Sequence, residues 1–296
     1  MQILIRLLRL LSLLPLSALR RLGSLLGFAG WFCASRMVAT TRVNIALCFP
    51  DLSQSAQESL ARRSIRESFR TMTETSAVWL WPGVRILNEI RHVDGLPLLQ
   101  DAHAGGHGVI VISPHLGNWE LMGLYLNTCG CGPTSQLYQP PSDPAVARLL
   151  FQARSRSGAN MVASDRRGVG MLLEALRRGE IIGILPDQVP PESGGEFSRF
   201  FGVDALTMTL VSRLLMKTGA RILLGYARRV AQPRAGFEIC FREMPMAIYS
   251  RDLHQSLMAL NLGIEAAVRE VPEQYHWEYK RFKRQPPGLP KIYDAG

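Results

Sequence analysis

The chain has 296 residues, 47% of them hydrophobic, with 34 Lys and Arg against 24 Asp and Glu, a formal net charge of +10. That is apolar enough for a full core, which excludes a disordered chain, and long enough for one large α/β domain or two modest ones. The cationic excess implies an anionic partner, whether a membrane surface, nucleic acid or an acidic protein. Thirty of the 34 cations are Arg, which suits bidentate phosphate and carboxylate recognition. Five cysteines at spacings that fit no disulfide framework or zinc motif predict reduced thiols in a cytosolic compartment.

Residues 1–36 are far more apolar than the rest, yet their longest uncharged run, Leu22 to Ser35, has 14 residues, too few for a simple spanning helix. On a helical wheel Gln2, Arg6, Arg9, Ser17, Arg20 and Ser24 share one stripe, and Leu, Ile and Phe cover most of the remainder. The pattern predicts an N-terminal membrane-anchoring helix, kinked at Pro15, with its arginines reaching the headgroups. Arg20 and Arg21 directly after the apolar stretch Leu10 to Leu19, and the lack of a small-x-small site, argue against a cleaved signal peptide and for the cytoplasmic side. The chain thus divides into a membrane-associated helix, 1–36, and a catalytic domain, 37–296; spanning and lying flat both remain open.

A long helix capped by Ser53 or Ser55 is expected to run to about Trp79, where Pro82-Gly83 breaks it. After a short helix near "RHVDGLPLL" comes a strand, Val109–Ser113, then a helix from Glu120 to Asn127. A strand and Pro-rich loop follow in "CGCGPTSQLYQPPSDP", a helix from about Ala145 to Arg156, and a short strand in "ANMVAS". "VGMLLEALRRGE" reads as an amphipathic helix with Met171, Leu172, Ala175 and Leu176 on its apolar face. "IIGIL" is a buried strand, "PDQVPPESGGEFSRFFG" a loop, Thr207 to Thr218 a helix, and "RILLGYA" and "FEICFRE" further strands before a last helix and the "QYHWEYKRFKRQPPG" tail. Alternating strands and helices specify an α/β fold, a layered mixed sheet flanked by helices.

"SPHLGNWE", residues 113–120, sits just past the predicted strand. Two residues five apart on one helix lie about 140° apart. His115 and Glu120 therefore meet only if His115 sits in a turn, which Pro114 and Gly117 permit, with Asn118 as N-cap of the next helix. A carboxylate on one imidazole nitrogen would then leave the other free to take a proton from a hydroxyl, with no protein nucleophile required. H-x4-E alone is a weak signal that also suits a structural histidine. His103 and His107 read as loop residues whose spacing from His115 matches no known metal motif. The chain contains no G-x-S-x-G, H-E-x-x-H, P-loop or G-x-G-x-x-G.

"HLGNWE" resembles the H-x4-D/E box of glycerolipid acyltransferases, and the chain as a whole is similar to the late acyltransferases of lipid A biosynthesis, the lauroyl/myristoyl transferase family. The stretches that agree are "RVNIALCFPDLS", "VISPHLGNWEL", "LYQPPSDP" with Arg154 and Arg156, "RRGEIIGILPDQ", "GGEFSRFFGVDALT" and "PEQYHWEYKRFKRQPPG", in the family's order. The resemblance implies a glycerol-3-phosphate acyltransferase-like fold, with His115 as general base on the acceptor hydroxyl and Glu120 as its orienting partner. It implies that Arg154 holds a phosphate or the oxyanion, and that Asp187 binds or positions substrate. Turn N–H groups near Gly117, with Asn118, are further candidates for substrate and oxyanion contact. It also implies acyl carrier protein as donor, a phosphorylated glycolipid acceptor, the cytoplasmic face of the inner membrane, no metal, no cofactor and no nucleic acid. Two departures, Tyr138-Gln139-Pro140 for Tyr-Arg-Pro and Arg281-Phe282-Lys283-Arg284-Gln285-Pro286 for Arg-Phe-Lys-x-Arg-Pro, touch presumed substrate contacts. A lysophospholipid or other glycolipid acceptor, and a non-catalytic lipid-binding protein, are the competing readings.

Overall fold

The structure, a computed structural model, describes residues 2–141, 143–231 and 235–293, apart from the side chains of Gln2 and Leu4. The Gln2 side chain of the predicted polar stripe and Ser142 of the Pro-rich loop therefore lie outside the described residues.

Seven strands make the main sheet: β1 (Ile90–Asp94), β2 (Val109–Ile112), β3 (Thr134–Tyr138), β4 (Asn160–Ala163), β5 (Ile181–Ile184), β8 (Arg221–Val230) and β9 (Gly236–Glu243). Their order is β1-β9-β8-β2-β5-β3-β4, and every pair is parallel except the antiparallel β8 and β9. Between β5 and β8 a separate antiparallel hairpin forms from β6 (Gly195–Phe200) and β7 (Val203–Met208). The central strands are covered on both faces, so they read as unbroken apolar runs while their side chains alternate. Val109 and Val111 of β2 pack into one core and Ile110 and Ile112 into the other.

The first of those cores is closed by α2 (Leu16–Cys33), α4 (Gln54–Leu80), α6 (Leu96–Ala104) and α7 (Trp119–Leu126); the second by α3 (Ser35–Cys48), α9 (Arg166–Arg177), α10 (Leu210–Thr218) and α11 (Leu253–Glu270). The remaining helices are α1 (Gln2–Leu11), α5 (Gly83–Leu87) and α8 (Pro144–Ser155). Ser53 caps α4 by accepting from the Ala56 N–H, and the α4 C-terminal carbonyls of Val78, Trp79 and Trp81 accept from the Arg156 guanidinium. On α9, Leu172, Ala175 and Leu176 are buried as expected, whereas Met171 faces outward.

The N-terminal segment differs most from its expectation. It is two helices, not one, with Pro15 as the N-cap of α2. Its polar stripe divides: Arg6, Arg9 and Ser17 are exposed, whereas Arg20 faces the protein and donates to Glu74 Oε1 at 2.6 Å and to the Gly236 carbonyl at 2.8 Å. Small residues lie on the same inward face. A Cβ on Gly23 or Gly27 would sit 2.7 Å from the Cα of Arg70 or Arg66, so α2 and α4 pack backbone to backbone. The apolar residues are on the outside, with Leu25 68%, Phe28 63% and Phe32 72% exposed. Among the described residues no single helix is long and apolar enough to cross a membrane; α2 with α3, bent by 90°, passes that test as a pair.

Candidate active site

Sheet register delivers the first contact of the site. β2 and β5 are parallel neighbours with Ile112 opposite Ile184. Three residues beyond each of these, at the carboxyl edge where open α/β sheets collect ligands, come His115 and Asp187. The His115 Nδ1 lies 2.8 Å from Asp187 Oδ1, and the His115 backbone N–H donates to Asp187 Oδ2 at 2.8 Å. Burial opposes the Asp187 charge, but the His115 ring and its two N–H donors prevail and hold the carboxyl below its ordinary range. Burial first, then the adjacent Asp187 carboxylate, keeps the Tyr275 phenol protonated well above its ordinary value.

Glu120 does not orient His115. It lies in the first turn of α7, and its carboxylate is directed toward α8 and α4. There its oxygens accept from Arg154 Nε at 3.0 Å and Nη2 at 2.5 Å, and from the Trp79 indole at 3.1 Å. Burial works against the Glu120 charge, yet Arg154 foremost, then Trp79 and the more distant His115, hold its carboxyl below the usual value. Arg154 is thus engaged by a carboxylate in a bidentate pair and is not an uncommitted phosphate ligand. The expected His115–Glu120 pair is replaced by two pairs, His115–Asp187 and Arg154–Glu120.

The turn itself is also committed. The Gly117 N–H donates to the Gln274 carbonyl at 2.9 Å and the Asn118 N–H to the Ala227 carbonyl at 2.7 Å, so neither amide is available to an oxyanion. Gly117 has φ 64°, and a Cβ there would lie 2.0 Å from the Ala227 oxygen, so only glycine fits. Asn118 does cap α7, accepting from the Leu121 N–H, and its amide donates to Glu74 Oε2 at 3.1 Å. Gly117 and Asn118 therefore build the turn, with both backbone N–H groups committed to the protein. Arg281 and Gln285 of the closing segment likewise bind protein carbonyls, those of Leu206 and Asp204.

Four participants escaped the sequence reading. Gln188 follows Asp187, and its Nε2 lies 3.2 Å from His115 Nε2. Trp119 and His276 pack on His115 with ring centroids 5.0 and 5.8 Å away, and on each other in a stack at 5.7 Å. The His276 backbone N–H donates to the His115 carbonyl at 3.1 Å. Burial chiefly, against the pull of Glu278, holds the His276 ring below its ordinary pKa. Glu278 stands 3.4 Å from His276. His107, by contrast, precedes β2 and His115 follows it, so the strand separates them and they form no common metal site.

His115 has a buried carboxylate on Nδ1 and a displaceable amide on Nε2. Among the described residues no serine, threonine or cysteine hydrogen-bonds its ring. This fold and site place a carboxylate-bound imidazole at the carboxyl edge of an open α/β sheet, with no protein nucleophile among the described residues hydrogen-bonded to its ring. The family model of the bacterial lipid A biosynthesis acyltransferases matches residues 2–284. Similar proteins include three from Escherichia coli (strain K12). The lipid A biosynthesis palmitoleoyltransferase is 28% identical over 280 residues, and the lauroyltransferase 25% over 280 residues; each alignment covers 95% of this chain and 90% of the relative. The myristoyltransferase is 24% identical over 273 residues, 91% of this chain and 81% of the relative. The chain belongs to the bacterial lipid A biosynthesis acyltransferase family, and it is an O-acyltransferase.

Proposed function

We propose that the protein transfers a fatty acyl chain from the thioester of an acyl carrier protein to a hydroxyl of a lipid A precursor, at the cytoplasmic face of the inner membrane. The observation that carries the reading is the buried Asp187 on His115 Nδ1. It favours the tautomer whose Nε2 accepts a proton and stabilises the imidazolium that results. The acceptor hydroxyl displaces the Gln188 amide from Nε2 and loses its proton there as its oxygen bonds to the thioester carbonyl carbon. The C–S bond then breaks, and the imidazolium returns the proton to the thiolate. Gln188, once displaced, is the donor nearest to the developing oxyanion. Glu120 acts through Arg154, which it fixes beside an apolar slot lined by Met122, Leu126, Leu137 and Ile184.

A groove of about 570 Å³ supports an anionic donor. Val169, Leu173, Leu210 and Leu214 form its apolar floor, and Arg166, Arg213 and Lys217 its rim. Leu137 lines both this groove and the slot beside Arg154, while Pro190 joins it to the loop that carries Asp187 and Gln188. The exposed apolar side of α2 supports membrane association, since Arg20 and the glycines are spent on the protein while Arg21 stays exposed. The test supplies acyl carrier protein thioester and a tetra-acylated precursor and weighs the product. A gain of one acyl group, lost in His115→Ala, is expected; equal turnover in His115→Ala overturns the reading.

A further inference from the structure

A second cavity, of about 190 Å³, lies one ring's thickness from His115, behind Trp119 and His276. Its α4 wall carries the hydroxyls of Ser68, Thr71 and Thr75. Each donates to a carbonyl of its own helix, those of Ser64, Glu67 and Thr71, which leaves the oxygen lone pairs to accept. The facing wall carries Glu278, whose side chain is 9% exposed. Its Oε1 approaches His276, but its Oε2 is buried with no hydrogen-bond partner, and so is His276 Nδ1. The Gln274 amide on the same wall is spent on the Arg229 backbone, through both its oxygen and its nitrogen.

The cleft thus carries three hydroxyl acceptors and a carboxylate, and no Arg or Lys lines it. That chemistry repels phosphate and attracts hydroxyl or amide hydrogens. The unpartnered Oε2 leaves a carboxylate acceptor that no protein group uses. At about 30 Å³ per water the cavity exchanges roughly six solvent molecules for ligand.

We propose that this cleft is the acceptor subsite: it binds the uncharged, hydroxyl-bearing segment next to the alcohol that is acylated, with Glu278 Oε2 accepting from a substrate hydroxyl. The phosphates stay outside it. The inference rests on the transfer reaction proposed above. A sugar ring and a hydroxylated acyl chain offer this chemistry equally.

The experiment compares wild type, Glu278→Gln and Thr75→Val by steady-state transfer, and repeats the comparison as calorimetric binding of the acceptor in a His115→Ala background. Glu278→Gln is expected to raise the acceptor KM and Kd about tenfold or more, as a lost bond to a charged group does. The donor KM stays at the wild-type value. The melting temperature does not fall, because Oε2 has no hydrogen-bond partner in the protein to lose and the amide keeps an oxygen to face His276; a purely structural Glu278 would lower it. Thr75→Val gives a smaller loss of the same kind. Binding of a phosphate-free glucosamine disaccharide and of a hydroxyacyl chain without sugar separates the two sources, since only the true occupant loses affinity in Glu278→Gln. Wild-type binding without transfer refutes the reaction but not the cleft. Unchanged acceptor Kd in Glu278→Gln, or no acceptor binding in any form, refutes the cleft.

Discussion

Asp187→Asn isolates the pair that carries the reaction. Asp187 offers one oxygen to His115 Nδ1 and the other to the His115 backbone N–H, both at 2.8 Å. Asparagine has only one oxygen. If it stays on the backbone N–H, the new amide hydrogens face Nδ1 and force the tautomer protonated at Nε2, which cannot take the alcohol's proton. If it turns to Nδ1, two N–H donors oppose each other at the backbone. The expected loss is that of general-base assistance, about 10²–10⁴ in kcat, or about 2.7–5.4 kcal/mol on the barrier. Glu120→Gln leaves His115 and Asp187 bonded and weakens only the hold on Arg154, so its kcat falls by less. The assay follows thiol release and product mass at saturating donor and acceptor, with circular dichroism to show that both variants fold. Wild-type kcat in Asp187→Asn, or a larger loss in folded Glu120→Gln, refutes the assignment.

Four further outcomes follow from the packing and burial. Gly27→Ala pushes a methyl to 2.7 Å from the Arg66 Cα and is expected to destabilise the protein by about 1–3 kcal/mol. Gly83→Ala, whose Cβ would meet nothing within 4 Å, leaves the denaturation midpoint unchanged. Glu74 is fully buried between Arg20 at 2.6 Å, Arg229 at 3.0 Å and the Asn118 amide at 3.1 Å; Glu74→Gln strands buried guanidinium charge and costs about 3–5 kcal/mol by urea unfolding. His276 titrates below its ordinary 6.5 because burial disfavours the charged ring. Between the two values the unfolded chain binds the proton more readily, so this stability is complete above pH 6.5 and is lost as pH falls through that window. A melting temperature that drops less from pH 7 to 5 in His276→Asn than in wild type is the expected result.

What could be read from the sequence was local. The run "GVIVI" predicts β2, Asn118 predicts the cap of α7, and Pro82-Gly83 marks the end of α4; each depends on neighbours within one turn or strand. The β6–β7 hairpin has no local signal, and its residues read as a loop and the start of a helix, because its two-residue turn is Phe201-Gly202, with φ 51° and 77°, in place of the Asn-Gly or Asp-Gly that announces such turns. The N-terminal stripe was legible as a pattern but not in its direction. Amphipathicity does not say which face meets protein, and here Glu74 and the close approach at Gly23 and Gly27 draw the α2 part of the stripe, at Arg20 and Ser24, inward while Arg6 and Arg9 stay exposed.

The residue sequence by itself determined that a histidine follows a buried strand in a turn that only Gly117 permits. The partner of that histidine was decided by the sheet. The turn and the first residues of α7 direct Glu120 to Arg154 and Trp79, while the parallel register of β2 and β5 brings Asp187, 72 residues distant in the chain, to hydrogen-bond range of His115. Strand order is a property of the assembled sheet, and no local propensity encodes it.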